Sequence, residues 1–386
     1  MYKKIALIGL ILAGCSSPQQ SHTTMQESVG STVEPVVAQP AVQPELRPMP
    51  PKQVGFYRAG SVSGDYAGYA QLQRFIDRMT EKHGFNRDYL NGLFSQAKRK
   101  QWTLDYLHKS DRAAKPGAKP APGGWTRYRA QFLDKRHIES GVSFWRRHQD
   151  ALLRAERRYG VPAEYILGIL GVETAYGGYL GSHRIIDALT TLAFDYQRRG
   201  EYFRGELENF LLMAGAEGFD PSQPVGSFAG AMGLGQFMPT SFLKWAVDFN
   251  EDGRKDLWDP VDAIGSVANY FAQHGWQTGK PVVTPAKLNG AQAHSIETGV
   301  NYRYSLEQFK QAGIYPAAYC VCDGSLHLIQ LRKTDRDEYW IGHPNFYVIT
   351  RYNQSSYYAM AVHELAMSIK SRYRKPQIAL RDGKDR

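Results

Sequence analysis

Residues 163–174 read AEYILGILGVET, and this apolar segment constrains the fold more than any other part of the chain. Its apolar residues recur at helical spacing, and Glu173 follows Ile166, Ile169 and Leu170 by seven, four and three positions. Because residues three and four apart share one face of a helix, Glu173 extends the apolar stripe. The pattern therefore predicts a helix that turns one carboxyl group away from open solvent.

Two effects raise the expected pKa of Glu173. Burial on an apolar face disfavours the charged carboxylate, and the carbonyl end of a helix disfavours a negative charge further. A carboxylic acid that stays protonated near neutral pH is what glycosidic cleavage requires, because the leaving oxygen must be protonated as the bond breaks. The competing interpretation is an acid at a frayed helix end that turns into water.

The chain as a whole has 386 residues, of which 42% are hydrophobic, so it can bury a large core and form two or three domains. Helical spacing dominates, whereas HLIQLR, DEYWIG and FYVITRY are short, β-branched and aromatic and predict strands. The expected fold class is α+β, mainly helical. The predicted segments are a helical domain at 57–160, a core at 161–279, a small antiparallel β domain at 280–348 and a C-terminal helix at 349–386.

The N-terminus predicts export. MYKKIALIGLILAGC combines two lysines, a short apolar run and the quartet LAGC, which resembles a bacterial lipoprotein signal. Residues 1–14 would then be a signal peptide and Cys15 the lipidated first residue; an ordinary secretory leader is the alternative. Residues 15–56 are polar and Pro-rich and predict a flexible tether. Ser16 after the cysteine fits transport to the outer membrane, so we expect a lipoprotein that faces the periplasm.

A glycine-rich stretch, GSFAGAMGLGQFMPTSF at 226–242, is the second informative segment. It is not a phosphate loop, since no lysine follows its glycines and no strand pattern precedes it. Its glycines are better suited to a close approach of the backbone to a sugar chain. The net charge of +10, which becomes +8 without Lys3 and Lys4 of the leader, favours an anionic partner or surface without naming one. No feature indicates nucleic acid.

The segments GVETAYG, GSFAGAMG and GLGQFMP together resemble the lytic murein transglycosylases, and the similarity extends from about residue 60 to the end. The resemblance implies a lysozyme-like core, flanked by a helical domain and the β domain, around a groove for peptidoglycan strands. It assigns catalysis to Glu173. Ala175 departs from the family pattern, in which a larger residue is frequent. The saccharide-binding residues that the resemblance implies are Ser227, Gln236, Tyr270, Tyr352, Asn353, Tyr358, Tyr128 and Tyr202.

The mechanism that the resemblance implies is not hydrolytic. A two-carboxylate glycosidase would need a second acid opposite Glu173, and Asp187 and Asp195 lie in what the pattern predicts to be an amphipathic helix. In the family a single glutamate protonates the bond between N-acetylmuramic acid and N-acetylglucosamine, then promotes closure of a 1,6-anhydro ring. A lysozyme-type hydrolase and a non-catalytic peptidoglycan-binding lipoprotein are the alternatives. Other cell-wall enzymes are candidate partners.

Residues 248–262, DFNEDGRKDLWDPVD, contain D-x-N-x-D-G, the opening of an EF-hand-like calcium loop. Such a loop takes oxygen ligands from positions 1, 3, 5 and 7 and has glycine at position 6 for its sharp turn. Gly253 stands at position 6. The predicted ligands are Asp248, Asn250, Asp252 and the backbone carbonyl of Arg254.

The carboxylate that closes this loop has two candidates. Position 12 is Asp259, but Asp259-Pro260 is typical of the N-cap and first residue of a helix. In a standard loop the bidentate carboxylate comes three residues after the helix start, which corresponds to Asp262. We therefore expect a lengthened loop closed by Asp262 around a structural Ca²⁺, and no organic cofactor. A polar turn without metal is the alternative.

The sequence YCVCDG contains Cys320 and Cys322. Two residues apart on a strand, their side chains would face the same side, which is poor geometry for an unstrained disulfide. No Cys/His set is seen to complete a zinc site. Buried thiols in the β domain are therefore expected.

Overall fold

Helices form most of the structure, a computed structural model that describes residues 50–113 and 121–374. The predicted signal peptide, Cys15 and most of the predicted tether lie outside the described residues. No helix in the described ranges is long and apolar enough to cross a bilayer. The helices are α1 (Ala70–His83), α2 (Arg87–Ser95), α3 (Gln101–Ala113), α4 (Gly124–Arg129), α5 (Lys135–Arg147), α6 (Gln149–Tyr159), α7 (Ala163–Thr174), α8 (Ile185–Asp195), α9 (Gly200–Glu217), α10 (Pro239–Trp245), α11 (Pro260–Gln273), α12 (Leu306–Gln311), α13 (Pro344–Tyr352) and α14 (Ser356–Arg374).

Helix α7 lies at the centre of the helical body, and every residue from 163 to 172 is buried. The C-terminal helix α14 packs along it at short distance. A β-carbon at Gly168 would lie 2.7 Å from the Val362 carbonyl oxygen, so only glycine permits this approach of the two backbones. Helix α14 therefore packs directly against the centre of the core.

One continuous core joins the predicted helical domain to the predicted catalytic core. It extends from Tyr57 to Ile369, so residue 160 marks no break in packing. Residues 50–54, predicted as tether, already pack on this body. The Tyr89 hydroxyl donates a hydrogen bond to the Val54 carbonyl at 2.8 Å, and the Asn86 amide donates to Gln53 at 3.1 Å.

The β domain contains a four-stranded antiparallel sheet with the strand order β4-β3-β6-β5. It has a small core of its own, which includes Phe309, Ile314, Leu328 and Ile341. The strand predictions for HLIQLR and DEYWIG are confirmed as β5 and β6. A separate two-stranded ribbon pairs β1 with β2. The strands are β1 (His183–Arg184), β2 (Val225–Gly226), β3 (Val283–Leu288), β4 (Ile314–Pro316), β5 (His327–Arg332) and β6 (Asp337–Gly342).

The strand prediction for FYVITRY is wrong, because these residues belong to helix α13. Pro344 occupies the first helical turn, where its missing N–H costs no hydrogen bond. Phe346 and Ile349, three residues apart, are both buried. Burial of this helical face outweighs the β propensity of the isolated segment.

The prediction of buried thiols is also wrong. Cys320 and Cys322 are half-buried and form a disulfide. They lie in the loop between β4 and β5 rather than on a strand, and their Cα atoms are 5.2 Å apart, within the usual disulfide range. His343 Nε2 lies 3.9 Å from Cys320 Sγ, a neighbour that sequence spacing did not indicate. The two sulfur atoms bond each other and are therefore not available as thiolate ligands.

Candidate active site

Glu173 lies in the last turn of α7, where the backbone changes direction abruptly. Ala175 and Tyr176 adopt left-handed φ angles of 48° and 61°, which non-glycine residues rarely do. Their amides close the helix by donating to the carbonyls of Gly171 and Leu170, each at 3.0 Å. Such backbone persists only where its surroundings impose it, and it clusters at functional sites.

The side chain of Tyr176 anchors this turn. Its hydroxyl lies between α5 and α7, and a β-carbon at either Gly141 or Gly171 would come within 2.5 Å of it. Thr174 adds a second anchor, because its hydroxyl donates to the Leu234 carbonyl at 2.9 Å and accepts from the Gly177 amide at 3.0 Å. Sequence analysis missed both residues, although they directly follow Glu173.

The environment of Glu173 keeps its carboxyl group protonated to unusually high pH. Burial raises the pKa of Glu173 to about 7, and a hydrogen bond from the Tyr358 hydroxyl, 2.5 Å from Oε1, opposes part of that rise. The direction and the burial cause agree with the sequence expectation. A group that titrates near 7 can both give and accept a proton under physiological conditions.

Three tyrosines from separate helices surround Glu173. Burial raises the pKa values of Tyr128, Tyr352 and Tyr358, and the nearby Glu173 carboxyl raises each of them further. All three hydroxyls therefore stay neutral hydrogen-bonding groups. The Tyr352 hydroxyl donates to the Gly235 carbonyl at 2.5 Å and so ties α13 to the glycine-rich loop.

The glycine-rich loop adjoins the site through its Leu234 and Gly235 carbonyls, which accept hydrogen bonds from Thr174 and Tyr352. Gln236 has a φ of 53°, and its side-chain amide donates to the Gly233 carbonyl at 2.9 Å and approaches the Leu180 carbonyl at 3.5 Å. The Ser227 hydroxyl oxygen accepts hydrogen bonds from the amides of Ala229 and Ala231 at 3.3 and 2.9 Å. Ser227 thus shapes the turn at the far end of the loop.

The other predicted saccharide-binding residues have more varied surroundings. The Tyr270 hydroxyl donates to the Arg351 carbonyl at 2.6 Å. The side-chain oxygen of Asn353 is buried, and within the described residues nothing donates a hydrogen bond to it. Tyr202 lies on α9 beside Glu206 and under the Arg199 guanidinium, which is 4.3 Å from its ring centroid. These contacts do not connect Tyr202 to Glu173.

Asp187 and Asp195, the two alternative acids considered from the sequence, both form ion pairs with basic side chains. Asp187 is buried and pairs with Arg184 at 2.8 Å and Lys100 at 2.9 Å. Asp195 pairs with Arg99 at 3.1 Å. The predicted helix is present as α8, but residues 185–194 are all buried, so it is an interior helix rather than an amphipathic one.

The calcium-loop segment has the compact turn that its sequence predicts. Asp248 accepts hydrogen bonds from the amides of Asp252 and Gly253 at 3.1 and 2.8 Å, and Gly253 has a φ of 90°. The side chains of Asn250 and Asp252 lie 3.2 Å apart. Three oxygen-bearing side chains therefore converge on the same turn, as a calcium site requires.

The two candidates for the closing carboxylate differ in their contacts. Asp262 is fully buried, and its oxygens accept hydrogen bonds from the amides of Phe249, Asn250 and Asp256 at 2.7, 3.0 and 2.8 Å. The Oδ1 atom of Asp259 caps α11 by accepting hydrogen bonds from the Val261 and Asp262 amides.

Comparison with known proteins agrees with this arrangement. The Transglycosylase SLT domain family matches residues 67–367. Membrane-bound lytic murein transglycosylase B from Escherichia coli K12 is 44% identical over 373 residues, which cover 95% of this chain and 97% of that protein.

Solved structures give the same result. Lytic transglycosylase Slt35 of Escherichia coli, in complex with calcium, has a TM-score of 0.76 and 47% identity and covers 82% of this chain and 97% of its own. SltB3 from Pseudomonas aeruginosa, in complex with NAG-NAM-pentapeptide, has a TM-score of 0.68 and 28% identity. The match covers 79% of this chain and 80% of the SltB3 chain. The chain belongs to the lytic murein transglycosylases, enzymes with a lysozyme-like fold that cleave the glycosidic bonds of peptidoglycan without hydrolysis.

Proposed function

We propose that Glu173 performs both proton transfers of the lytic transglycosylase reaction. The observation that carries this proposal is a carboxyl group with a pKa raised by burial to about 7, whose hydrogen-bond partner is the neutral hydroxyl of Tyr358. The two alternative acids, Asp187 and Asp195, are paired with cations. A mechanism with one acid therefore fits better than one with two.

In the first step the protonated Glu173 gives its proton to the oxygen that links N-acetylmuramic acid to N-acetylglucosamine, and the bond from that oxygen to muramyl C1 breaks. The muramyl N-acetyl group supports the positive charge that develops at C1. In the second step the Glu173 carboxylate removes the proton of the muramyl C6 hydroxyl, and O6 bonds to C1. The 1,6-anhydro ring closes, Glu173 regains its proton and no water is consumed.

The surrounding polar groups are proposed to hold the sugar chain. The buried side-chain oxygen of Asn353, which lacks a donor among the described residues, would accept a hydrogen bond from an N-acetyl amide. Tyr128 and Tyr352, which are half-buried, are proposed to present ring surface to sugar faces, whereas the fully buried Tyr358 acts through its hydroxyl on Glu173. Gln236 offers an amide to the same chain. The remaining candidates for saccharide contacts are Ser227, Tyr270 and, farther along α9, Tyr202.

Product analysis tests the function itself. Digestion of murein sacculi should release muropeptides with 1,6-anhydromuramyl ends, which mass spectrometry identifies. A hydrolase would instead leave reducing muramic acid, which borohydride converts to muramitol. A purely binding protein would release neither product. Muramitol as the principal reduced end would therefore refute the proposed mechanism.

We expect Tyr358→Phe to move the alkaline limb of the pH–rate profile to higher pH. The Tyr358 hydrogen bond stabilises the Glu173 carboxylate, so its loss should raise the pKa of Glu173 above about 7. The first step uses the protonated acid, which would then persist to higher pH. The measurement is kcat/KM against pH for both proteins.

Tyr165→Phe is the matched control for this profile, because it also removes a buried tyrosine hydroxyl but one that pairs with His363 at 2.9 Å. The control should leave the alkaline limb in place. An unchanged or lowered limb in Tyr358→Phe would contradict the proposed coupling.

We propose that the loop from Asp248 binds a structural Ca²⁺ through Asp248, Asn250, Asp252 and the Arg254 carbonyl. Asp262 is proposed to close the loop, because it lies in the first turn of α11 and its oxygens already face the loop through the amides of Phe249, Asn250 and Asp256. A carboxylate has about four lone-pair sites, so three hydrogen bonds leave one for the ion. Asp259 caps α11 through Oδ1. The Slt35 relative, whose structure is a complex with calcium, supports a calcium site in this family.

We also propose that the mature protein begins at a lipidated Cys15 and sits on the outer membrane, facing the periplasm. The name of the membrane-bound relative supports membrane attachment. Cys15→Ala should shift the protein from the membrane fraction to the soluble fraction after cell lysis. A variant that remains entirely membrane-bound would rule out the lipid as the anchor.

A further inference from the structure

A group of four aromatic side chains, Trp102, Tyr106, His183 and Phe228, forms what we call the aromatic platform. Trp102 and Tyr106 lie one turn apart on α3 and stack with ring centroids 5.5 Å apart and planes inclined by 11°. Phe228 meets both rings edge-on, at 5.8 and 5.3 Å. His183 stacks on Trp102 at 6.1 Å. Three separate segments of the chain therefore converge on one cluster.

The platform is open to solvent although it is apolar. The Trp102 side chain is 56% exposed, and Tyr106, His183 and Phe228 are half-buried. More than half of Trp102 is thus accessible to solvent, and accessible aromatic surface can receive a flat apolar ligand. Contiguous exposed apolar surface of this kind marks binding sites more often than scattered single residues do.

Two of the three segments that form the platform continue toward the turn after Glu173, where the Leu234 carbonyl accepts a hydrogen bond from Thr174. His183 pairs with Gly226 in the β1–β2 ribbon, and Gly226 lies two residues before Phe228. Farther along the same two segments, the Gln236 side chain reaches the Leu180 carbonyl. His183 follows Leu180 by three residues, which span at most about 10 Å. His183 therefore lies within about 10 Å of the Leu180 residue that Gln236 contacts. The platform thus continues the surface that borders the catalytic carboxyl group.

The chemistry of the platform suits a sugar ring. Lys100, two residues before Trp102, and Arg184, next to His183, both pair with Asp187, at 2.9 and 2.8 Å. The single negative charge of Asp187 offsets one of these two positive charges. The aromatic rings themselves suit the apolar face of a pyranose ring.

We propose that the aromatic platform is a distal saccharide subsite, which holds a further sugar ring of the same glycan strand that is cleaved at Glu173. The proposal rests on the proposed function, because it needs a strand that runs from the platform to Glu173. The platform would add affinity for long strands and would not take part in bond cleavage.

The test compares the full chain with Trp102→Ala on peptide-free glycan strands, either long or cut to a short fragment around the scissile bond. We expect KM for long strands to rise about tenfold, the equivalent of roughly 1.4 kcal/mol. KM for the short fragment and kcat for both should stay within about twofold, a change of less than about 0.5 kcal/mol. Trp102→Leu, which keeps an apolar side chain but no ring, should show the same loss.

Tyr319→Ala is the matched control, because Tyr319 is 93% exposed and lies in the β domain. It should leave KM for long strands unchanged. An unchanged KM for long strands in Trp102→Ala, or an equal rise on the short fragment, would overturn the proposal. A rise seen only with stem-bearing strands would overturn it in favour of a peptide subsite. Failure of the proposed function would show separately, as wild-type protein that forms no anhydro ends.

Discussion

Glu173→Gln is expected to retain the fold and the affinity for saccharide while cleavage falls by about a thousandfold or more. The amide has nearly the same shape as the acid, and its oxygen can still accept the hydrogen bond from Tyr358. It can neither give a proton to the leaving oxygen nor remove one from the C6 hydroxyl. The loss should therefore appear in kcat, with little change in the dissociation constant for glycan.

Glu164→Gln is the matched control for this loss. Glu164 is the other glutamate on α7; it is buried, but it lies in the first turn and pairs with Lys370. Its replacement should leave kcat unchanged, since it lies at the opposite end of the helix from the reacting bond. Full activity in Glu173→Gln would show that the carboxyl group has been assigned the wrong role.

Glu173→Gln should also change how the stability of the native state depends on pH. Burial raises the pKa of Glu173 from 4.5 to about 7, so as pH rises the unfolded chain loses this proton before the native state does. Native stability therefore falls between those two values, by at most about 3 kcal/mol. Glutamine does not titrate, so thermal unfolding should favour the variant at about pH 8 and much less at about pH 5.

Calcium is expected to raise the unfolding free energy by about 2.7 kcal/mol when its concentration exceeds Kd a hundredfold, because it binds the native loop and not the unfolded chain. Each kcal/mol shifts the melting temperature of a domain of 150 to 250 residues by about 2 to 4 °C. Chelator-treated protein should therefore melt several degrees lower. Scanning calorimetry with and without excess calcium measures the difference.

Substitutions in the calcium loop test whether the stabilisation by calcium depends on the proposed ligands. Asp248→Asn should abolish the gain from calcium, because it removes a proposed ligand charge. Asp259→Asn should keep the gain, because asparagine can still cap α11. Asp262→Asn should destabilise the protein whether or not calcium is present, because the Asp262 oxygens accept three backbone hydrogen bonds. If the melting temperature of the wild-type protein does not change when calcium is added, the turn holds no metal.

The helical placement of Glu173 could be predicted from the sequence because it depends on spacing within one helix. Its partner Tyr358 could not be predicted from spacing, since it lies 185 residues away and meets Glu173 only through the packing of α14 on α7. Only the family resemblance indicated Tyr358. The close approach at Gly168 shows the physical reason, because it depends on two helices that are distant in sequence.

The errors have a similar origin. FYVITRY carries β-branched and aromatic residues, and a local pattern cannot reveal that Pro344 begins a helix whose buried face outweighs them. The prediction for Asp262 is a different case, because no observation contradicts it and its position could be counted as three residues after the helix start. Its engagement by the amides of Phe249, Asn250 and Asp256 depends on how the preceding loop folds over it.

Digestion of murein in water enriched in ¹⁸O tests most directly whether Glu173 drives a non-hydrolytic cleavage. If O6 of the muramyl residue closes the ring, the new ends carry no ¹⁸O, and mass spectrometry should find unlabelled 1,6-anhydromuramyl products. The same digest with Glu173→Gln should contain almost none of them. New muramyl ends that each carry one ¹⁸O atom would contradict the mechanism, because water would then have attacked C1.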